Sequence, residues 1–228
     1  MKLINVLGTE FDNIDIMEAV ERSINCMEVR DAYYVITPDS QETLKNRKSR
    51  TLMRVISRAL LVLPGDKGIY AAAKLLGMPL RYRMSTVDFA GALLARMSDM
   101  GMSVFILAPK AGVARRAADD LFYRFPGVKL AGAEDVNRLG NEDIVKAVNA
   151  ASPDLLVLSM DYIDQMGFIN ALLPQMEVGL CLGIGRAMEK HTAKRGEEAF
   201  FSRLMKEPGR TFKEALIILA ALRKRIFG

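Results

Sequence analysis

TVDFAGALLARMSDMGMSVFILAPKAGVARRAADDLFYRF, residues 86–125, decides the fold class. Val87 to Met100 spaces its apolar residues at helical period, Gly101 stops that pattern, and Ser103 to Ala108 is a short β-rich run, apolar after its first residue. Val113 to Phe125 then returns to helical period. A strand that is apolar on successive positions has to be buried on both faces, which is the environment of a parallel sheet covered by helices.

The same alternation extends in both directions. Strands are expected at Lys2 to Leu7, Ala32 to Thr37, Leu60 to Leu63, Leu155 to Ser159 and Val178 to Leu182. Helices are expected at Ile16 to Met27, Gln41 to Ile56, Ile69 to Leu76 and Glu142 to Ala150. Gly77, Gly101 and Gly127 follow helical patterns, Pro64 follows a strand, and Thr86 and Asn141 are candidate N-caps. The pattern predicts an α/β sandwich with a largely parallel sheet.

The 228 residues are 50% hydrophobic and 26% charged, which excludes disordered and fibrous classes and suffices for one sizeable core. Residues 1–190 read as one domain and 191–228 as an appendage, after a change of character at Arg186. Cys26 and Cys181 lie far apart in apolar-patterned segments, so no disulfide framework is expected and a reducing compartment is. The opening MKLINVLGTE lacks the apolar core of a secretion signal, and Ala215 to Leu222 is far shorter than the roughly 20 residues of a spanning helix. A cytoplasmic protein is expected.

Net charge of +5 hides a division. Residues 1–185 hold 21 Lys and Arg against 22 Asp and Glu, whereas 186–228 hold 11 against 5. The C-terminal segment is therefore expected to meet an anionic partner, a phosphate or a membrane surface. Its apolar run ahead of Arg223, Lys224 and Arg225 suits either a membrane surface or docking on its own core.

Several chemistries are poorly supplied. The only histidine is His191, in a lysine-rich polar stretch, and no His/Cys cluster has zinc spacing, so no metal is expected. No GxxxxGK[ST] loop occurs, and Gly183-Ile184-Gly185 lacks the third glycine of a dinucleotide fingerprint, so no cofactor is expected. A nucleic-acid module wants basic residues interleaved with aromatics; Lys45 to Arg58 carries six basic residues without an acid and alone keeps that class open, and no nucleic-acid partner is expected. What remains is polar residues at strand ends, where open α/β sheets bind ligands: Thr37, Asp39, Asp66, Asp161, Asp164 and Gln165, with Arg83 and Asp88 before the next helix.

TPDSQ at 37–41, LVLPGDKGIYAAAKLLG at 61–77, RMSTVDFAGALL at 83–94, VFILAPKAGVARRAA at 104–118 and RLMKEPGR ending at 210 together resemble the WecG/TagA/CpsF glycosyltransferases, in order and over nearly the whole chain. The resemblance implies a Rossmann-like α/β domain with a helical, basic C-terminal appendage that closes over the site. It also implies a peripheral enzyme at the inner face of the cell membrane. Such an enzyme moves N-acetylmannosamine or a related sugar from a UDP-sugar donor to a lipid-diphosphate-linked sugar acceptor, with inversion and without metal, in cell-surface polysaccharide or teichoic-acid synthesis. A homo-oligomer is left open.

Carried over residue by residue, the motifs depart from the family repeatedly. Thr37 and Pro38 match, but Asp39 replaces an asparagine, exchanging an amide for an acceptor-only carboxylate. The family's proposed base, the aspartate of LPDG, aligns with Gly65, and Asp66 follows; Asp66 substitutes for it only if the loop is rearranged. Arg83 and Asp88 are kept around a replaced glycine, and Gln165 alone survives of APKQE, with Asp164 in place of a lysine. Arg186 stands in the segment where the family reads GVGGAFD. Arg203 and Arg210 match appendage arginines and are expected on the diphosphate. The resemblance thus assigns Asp66 and Thr37 to catalysis and Asp39, Arg83, Asp88, Gln165, Arg203 and Arg210 to substrate, with a catalytically inactive binding or scaffold relative as the alternative.

Overall fold

Strands that are apolar at successive positions must sort their side chains by parity between two cores. In the computed structural model, which describes residues 3–185, they do so throughout. The chain runs β1 (Leu3–Val6), β2 (Thr9–Asp12), α1 (Ile16–Met27), β3 (Tyr33–Ile36), α2 (Ser40–Asn46), α3 (Arg50–Ile56) and β4 (Leu61–Val62). It continues α4 (Lys67–Leu75), α5 (Thr86–Met100), β5 (Ser103–Ala108), α6 (Val113–Arg124), β6 (Lys129–Asp135), α7 (Asn141–Ala151), β7 (Leu155–Leu158), α8 (Tyr162–Ala171) and β8 (Leu180–Gly183).

Six strands form one parallel sheet in the order β4-β3-β8-β7-β5-β6. Val104 and Ile106 of β5, Leu155 and Val157 of β7, and Leu180 and Leu182 of β8 pack with α1, α5 and α6. Phe105 and Leu107, Leu156 and Leu158, and Cys181 face the other way, toward the β1–β2 hairpin, α3, α4, α7 and α8. Each fully buried Leu, Ile or Phe contributes about 1.5–3 kcal/mol, so this sorting dominates the fold's stabilisation and fixes register. The chain is the expected Rossmann-like α/β sandwich; its expected appendage, 191–228, lies outside the described residues.

Five details differ from the sequence reading. The first expected strand is not in the main sheet: Lys2 to Leu7 is replaced by the antiparallel β1–β2 hairpin, turned at Leu7 and Gly8 with positive φ. The single helix expected over Gln41 to Ile56 is two, because the Ser49 hydroxyl caps a fresh start at Leu52. β6 was missed because as an edge strand it is mostly half-buried and of mixed polarity. α8 was missed because its buried stripe, Tyr162, Gln165, Met166, Phe168 and Ile169, includes a glutamine while its exposed face carries the apolar Ile163 and Ala171, so polarity does not follow burial. The caps expected at Thr86 and Asn141 fall one residue earlier, at Ser85 and Gly140.

The hairpin covers the β4 edge through one buried carboxyl. Asp12 Oδ2 accepts the Val62 N–H at 2.8 Å, satisfying a donor that an edge strand would otherwise leave open, and burial pushes the Asp12 pKa up. Asp12→Ala is expected to cost about 1–3 kcal/mol in urea unfolding, since Val62 N–H is left buried without an acceptor. Asp12→Asn keeps an acceptor and is expected to lose less.

Candidate active site

The carboxyl ends of β4, β3, β8 and β7 are neighbours, and most of the sequence-predicted residues follow them. The two loops after β3 and β4 are fastened together. Gly65 N–H donates to the Pro38 carbonyl at 3.1 Å. Asp66 Oδ1 accepts from Ser40 N–H and from Ile69 N–H, both at 3.2 Å, and Oδ2 accepts from the Ser40 hydroxyl at 2.7 Å. Asp66 is thus the N-cap of α4 and at the same time binds the first residue of α2. Burial raises its pKa despite these hydrogen bonds, with the Asp39 charge adding to the rise.

Gly65, where the family carries its aspartate, has no room for a side chain. A Cβ there would lie 2.3 Å from the Thr37 carbonyl oxygen and 2.9 Å from that of Pro38. The close approach of the two loops therefore requires glycine, and the carboxylate available at this place is that of Asp66.

Asp39 is committed to the helix it precedes. Its Oδ1 accepts from Glu42 N–H and Glu42 Oε2 accepts from Asp39 N–H, each at 2.8 Å, a reciprocal capping box. Glu42 is the residue that sequence reasoning missed: its pKa is pushed up to about 7 by burial first, then by the charges of Asp39, Asp66 and Asp161. The D-x-x-E spacing of Asp39 and Glu42 was legible as a cap, but the convergence of four carboxyl groups from three separate segments was not. Tyr162, buried beside this group, also has its pKa raised, by desolvation and by Glu42 and Asp39.

Thr37 donates its hydroxyl to the Gly183 carbonyl at 3.3 Å, joining β3 to β8 at the same end. Gln165 does not stand free in the cleft: it is buried, donates to the Met160 carbonyl at 2.9 Å, and occupies the space beneath Gly183, where a Cβ would lie 2.2 Å from its Oε1. Beyond Gly183 the described chain ends at Gly185, whose carbonyl accepts from Ser159 Oγ at 3.2 Å. Residues from 186 onward thus start at the carboxyl end of the sheet.

Arg83 is exposed on the segment before α5, and Asp88 lies in the first turn of α5, where Oδ2 accepts from Ser85 N–H and Oγ. Tyr70, also missed from sequence, anchors this segment one turn after Asp66: its hydroxyl accepts from Met84 N–H at 2.7 Å and donates to the Met84 carbonyl at 2.9 Å. Asp164 is exposed in the first turn of α8. The site therefore brings Thr37, Asp39 and Asp66 together and uses Gln165 and Asp88 within its walls; Arg203 and Arg210 lie outside the described residues. Among the described residues no cluster of His, Cys, Asp and Glu could hold a metal ion. Cys181 is buried and Cys26 half-buried, and neither lies in this group.

Fold and site together define a Rossmann-like α/β protein with a group of polar side chains gathered at the carboxyl ends of its central strands, where open α/β sheets bind ligands. The chain belongs to the glycosyl transferase WecG/TagA/CpsF family, whose model matches residues 4–227. An N-acetylglucosaminyldiphosphoundecaprenol N-acetyl-beta-D-mannosaminyltransferase of Bacillus spizizenii is 22% identical over 156 residues, 68% of this chain and 61% of that protein. The protein of the same name from Staphylococcus aureus is 22% identical over 188 residues, 82% of this chain and 74% of its own length. The match thus spans about three-fifths of the Bacillus protein's length.

The raised Glu42 pKa has a stability consequence. A carboxyl held protonated in the folded protein contributes stability that is complete below its unfolded pKa and is lost as pH rises through the folded value. Wild-type stability is therefore expected to fall between pH about 4.5 and about 7, and Glu42→Gln to flatten that fall. The difference at pH 8 should be on the order of 1–3 kcal/mol in favour of the variant, read by urea unfolding across pH. Equal slopes for the two proteins would contradict the assignment.

Proposed function

We propose that the chain is an inverting, metal-independent glycosyltransferase. It moves N-acetylmannosamine or a related N-acetylhexosamine from a UDP donor to a sugar linked through a diphosphate to undecaprenol, at the inner face of the membrane. Family membership supports the reaction class, and the names of both relatives support the acceptor and the donor sugar. The observation that carries the reading is the half-buried Asp66 carboxyl, fixed by hydrogen bonds at the carboxyl end of β4 one residue from the position that the resemblance aligns with the family's base, with a pKa above its ordinary value.

In this reading Asp66 takes the proton of the acceptor hydroxyl as its oxygen bonds to the anomeric carbon of the donor sugar. The bond from that carbon to the UDP oxygen breaks, and UDP leaves with the electron pair. A raised pKa makes the carboxylate a better proton acceptor, provided that it is ionised at the working pH. Thr37 orients substrate beside it, Arg83 with Arg203 and Arg210 neutralises the diphosphate, and Asp39, Asp88 and Gln165 shape the walls through the caps and packing described above. Residues 191–228 act as the closing appendage.

Two observations favour the second reading, a catalytically silent relative that binds substrates or partners in the same pathway. Position 65 cannot carry a side chain without parting the loops, and both Asp66 oxygens already accept hydrogen bonds.

Transfer from UDP-N-acetylmannosamine to a short-chain lipid-diphosphate N-acetylglucosamine separates the two. The first reading expects turnover that Asp66→Ala lowers by about 100-fold or more in kcat, with Ser40→Ala as a control for the loss of the hydrogen bond that ties the two loops. Unchanged turnover in Asp66→Ala would remove Asp66 as base, and absence of turnover by the folded wild type would leave the silent relative.

A further inference from the structure

The near-neutral count over residues 1–185 conceals a second division. Residues 43–87 carry ten Lys and Arg against a single acid, the half-buried Asp66, while the remainder of 1–185 carries eleven against twenty-one. Six of the ten, Lys45, Arg47, Lys48, Arg50, Arg54 and Arg58, lie on α2, α3 and their flanks. Arg22, Arg30, Arg96, Arg115 and Arg124 each face a carboxylate. The six on the α2–α3 ridge have no such partner among the described residues.

The placement of these charges does not serve the helices. Arg50 occupies the first turn of α3, which holds no acid, where the helix dipole disfavours a cation. Arg50, Arg54 and Arg58 follow one another at four-residue spacing, a stripe of like charges that repel within the helix and just beyond it. Repulsion of this kind is relieved by an anion outside the fold.

The stripe also borders a hollow. Arg54 and Arg58 line a cleft of about 460 Å³ floored by Val55, Ile169 and Leu173, at the amino ends of β3 and β8. Arg30, at the same cleft, is occupied by Ser152 and Asp154, and Asp31 is the carboxylate at its edge. Cationic rim over apolar floor suits an amphiphile with a phosphate head. α2 starts at the candidate site and α3 ends at the opposite end of the sheet, so the ridge spans the height of the molecule along one flank.

We infer that the α2–α3 ridge is a docking surface for the phosphate headgroups of an anionic membrane, additional to any contact made by residues 186–228. Nucleic acid is the less suitable occupant, because no aromatic residue lies between Lys45 and Arg58 to stack on bases. Juxtamembrane basic residues each strengthen binding to anionic lipid and act over about a Debye length, which a ridge of six satisfies. The inference rests on the proposed lipid-linked acceptor for its purpose, not for its existence.

The test is co-sedimentation of the full chain with phosphatidylcholine vesicles, with and without phosphatidylglycerol. It compares wild type with an Arg50→Gln/Arg54→Gln/Arg58→Gln triple variant and with a charge-matched Arg115→Gln/Arg116→Gln/Lys129→Gln control, all shown to be folded. Binding to the anionic vesicles is expected to fall about tenfold or more in the first triple, and to stay within about twofold of wild type in the control. Unchanged binding in the first triple, or an equal loss in both, overturns the inference. So does a result in which the first triple instead abolishes self-association or tight binding to a single-stranded RNA oligonucleotide. Transfer to a water-soluble short-chain acceptor, measured on the same proteins, should be unaffected by the ridge variants, which keeps failure of the ridge distinct from failure of the glycosyltransferase reading.

Discussion

One half-buried carboxyl ties the candidate site together. Asp66 caps α4 and receives two hydrogen bonds from Ser40 at the start of α2, so the loops after β3 and β4 cannot move independently. The close approach excludes any side chain at position 65, and it brings Asp39 and Glu42 into the same field. The cost of that arrangement is electrostatic: carboxyl groups crowded away from water raise one another's pKa. Asp66 and Glu42 both show the rise, and the Glu42 carboxyl is poised to titrate near neutral pH.

The fold was legible in the sequence wherever burial was complete. β5, β7 and β8 are apolar on both faces, so a continuous run identified them without knowledge of their partners. β6 and β2 were not legible, since a half-buried edge strand and a short hairpin arm keep polar residues that break the pattern. α8 failed for a different reason: its buried face includes Gln165 and its exposed face carries Ile163 and Ala171, so the apolar period that marks a helix is blurred.

The site was legible only as separate strand ends. Thr37, Asp39 and Asp66 were singled out as polar residues after strands, and they do converge. Their local duties were a different matter. Asp39 and Asp88 serve capping boxes, and Gln165 fills the space that Gly183 leaves; such roles depend on neighbours three to eighteen positions away. Glu42 and Tyr70 were missed because their significance lies in charges and backbone groups contributed by other elements. The basic run from Lys45 to Arg58 was legible as a run, but its place along α2 and α3 beside a cleft was not, because that depends on the fold.

These charges bear on how an anionic substrate could be held. A crevice walled by Asp39, Glu42, Asp66 and Asp161 repels a diphosphate, so it needs cations brought from outside its own walls. Within the described residues Arg83 is the exposed cation beside Asp88 and Tyr70. Sequence beyond Gly185 holds a further eleven Lys and Arg against five acids. In the proposed transfer, then, the acidic groups serve proton removal and loop geometry, while charge neutralisation of the departing UDP falls to Arg83, Arg203 and Arg210.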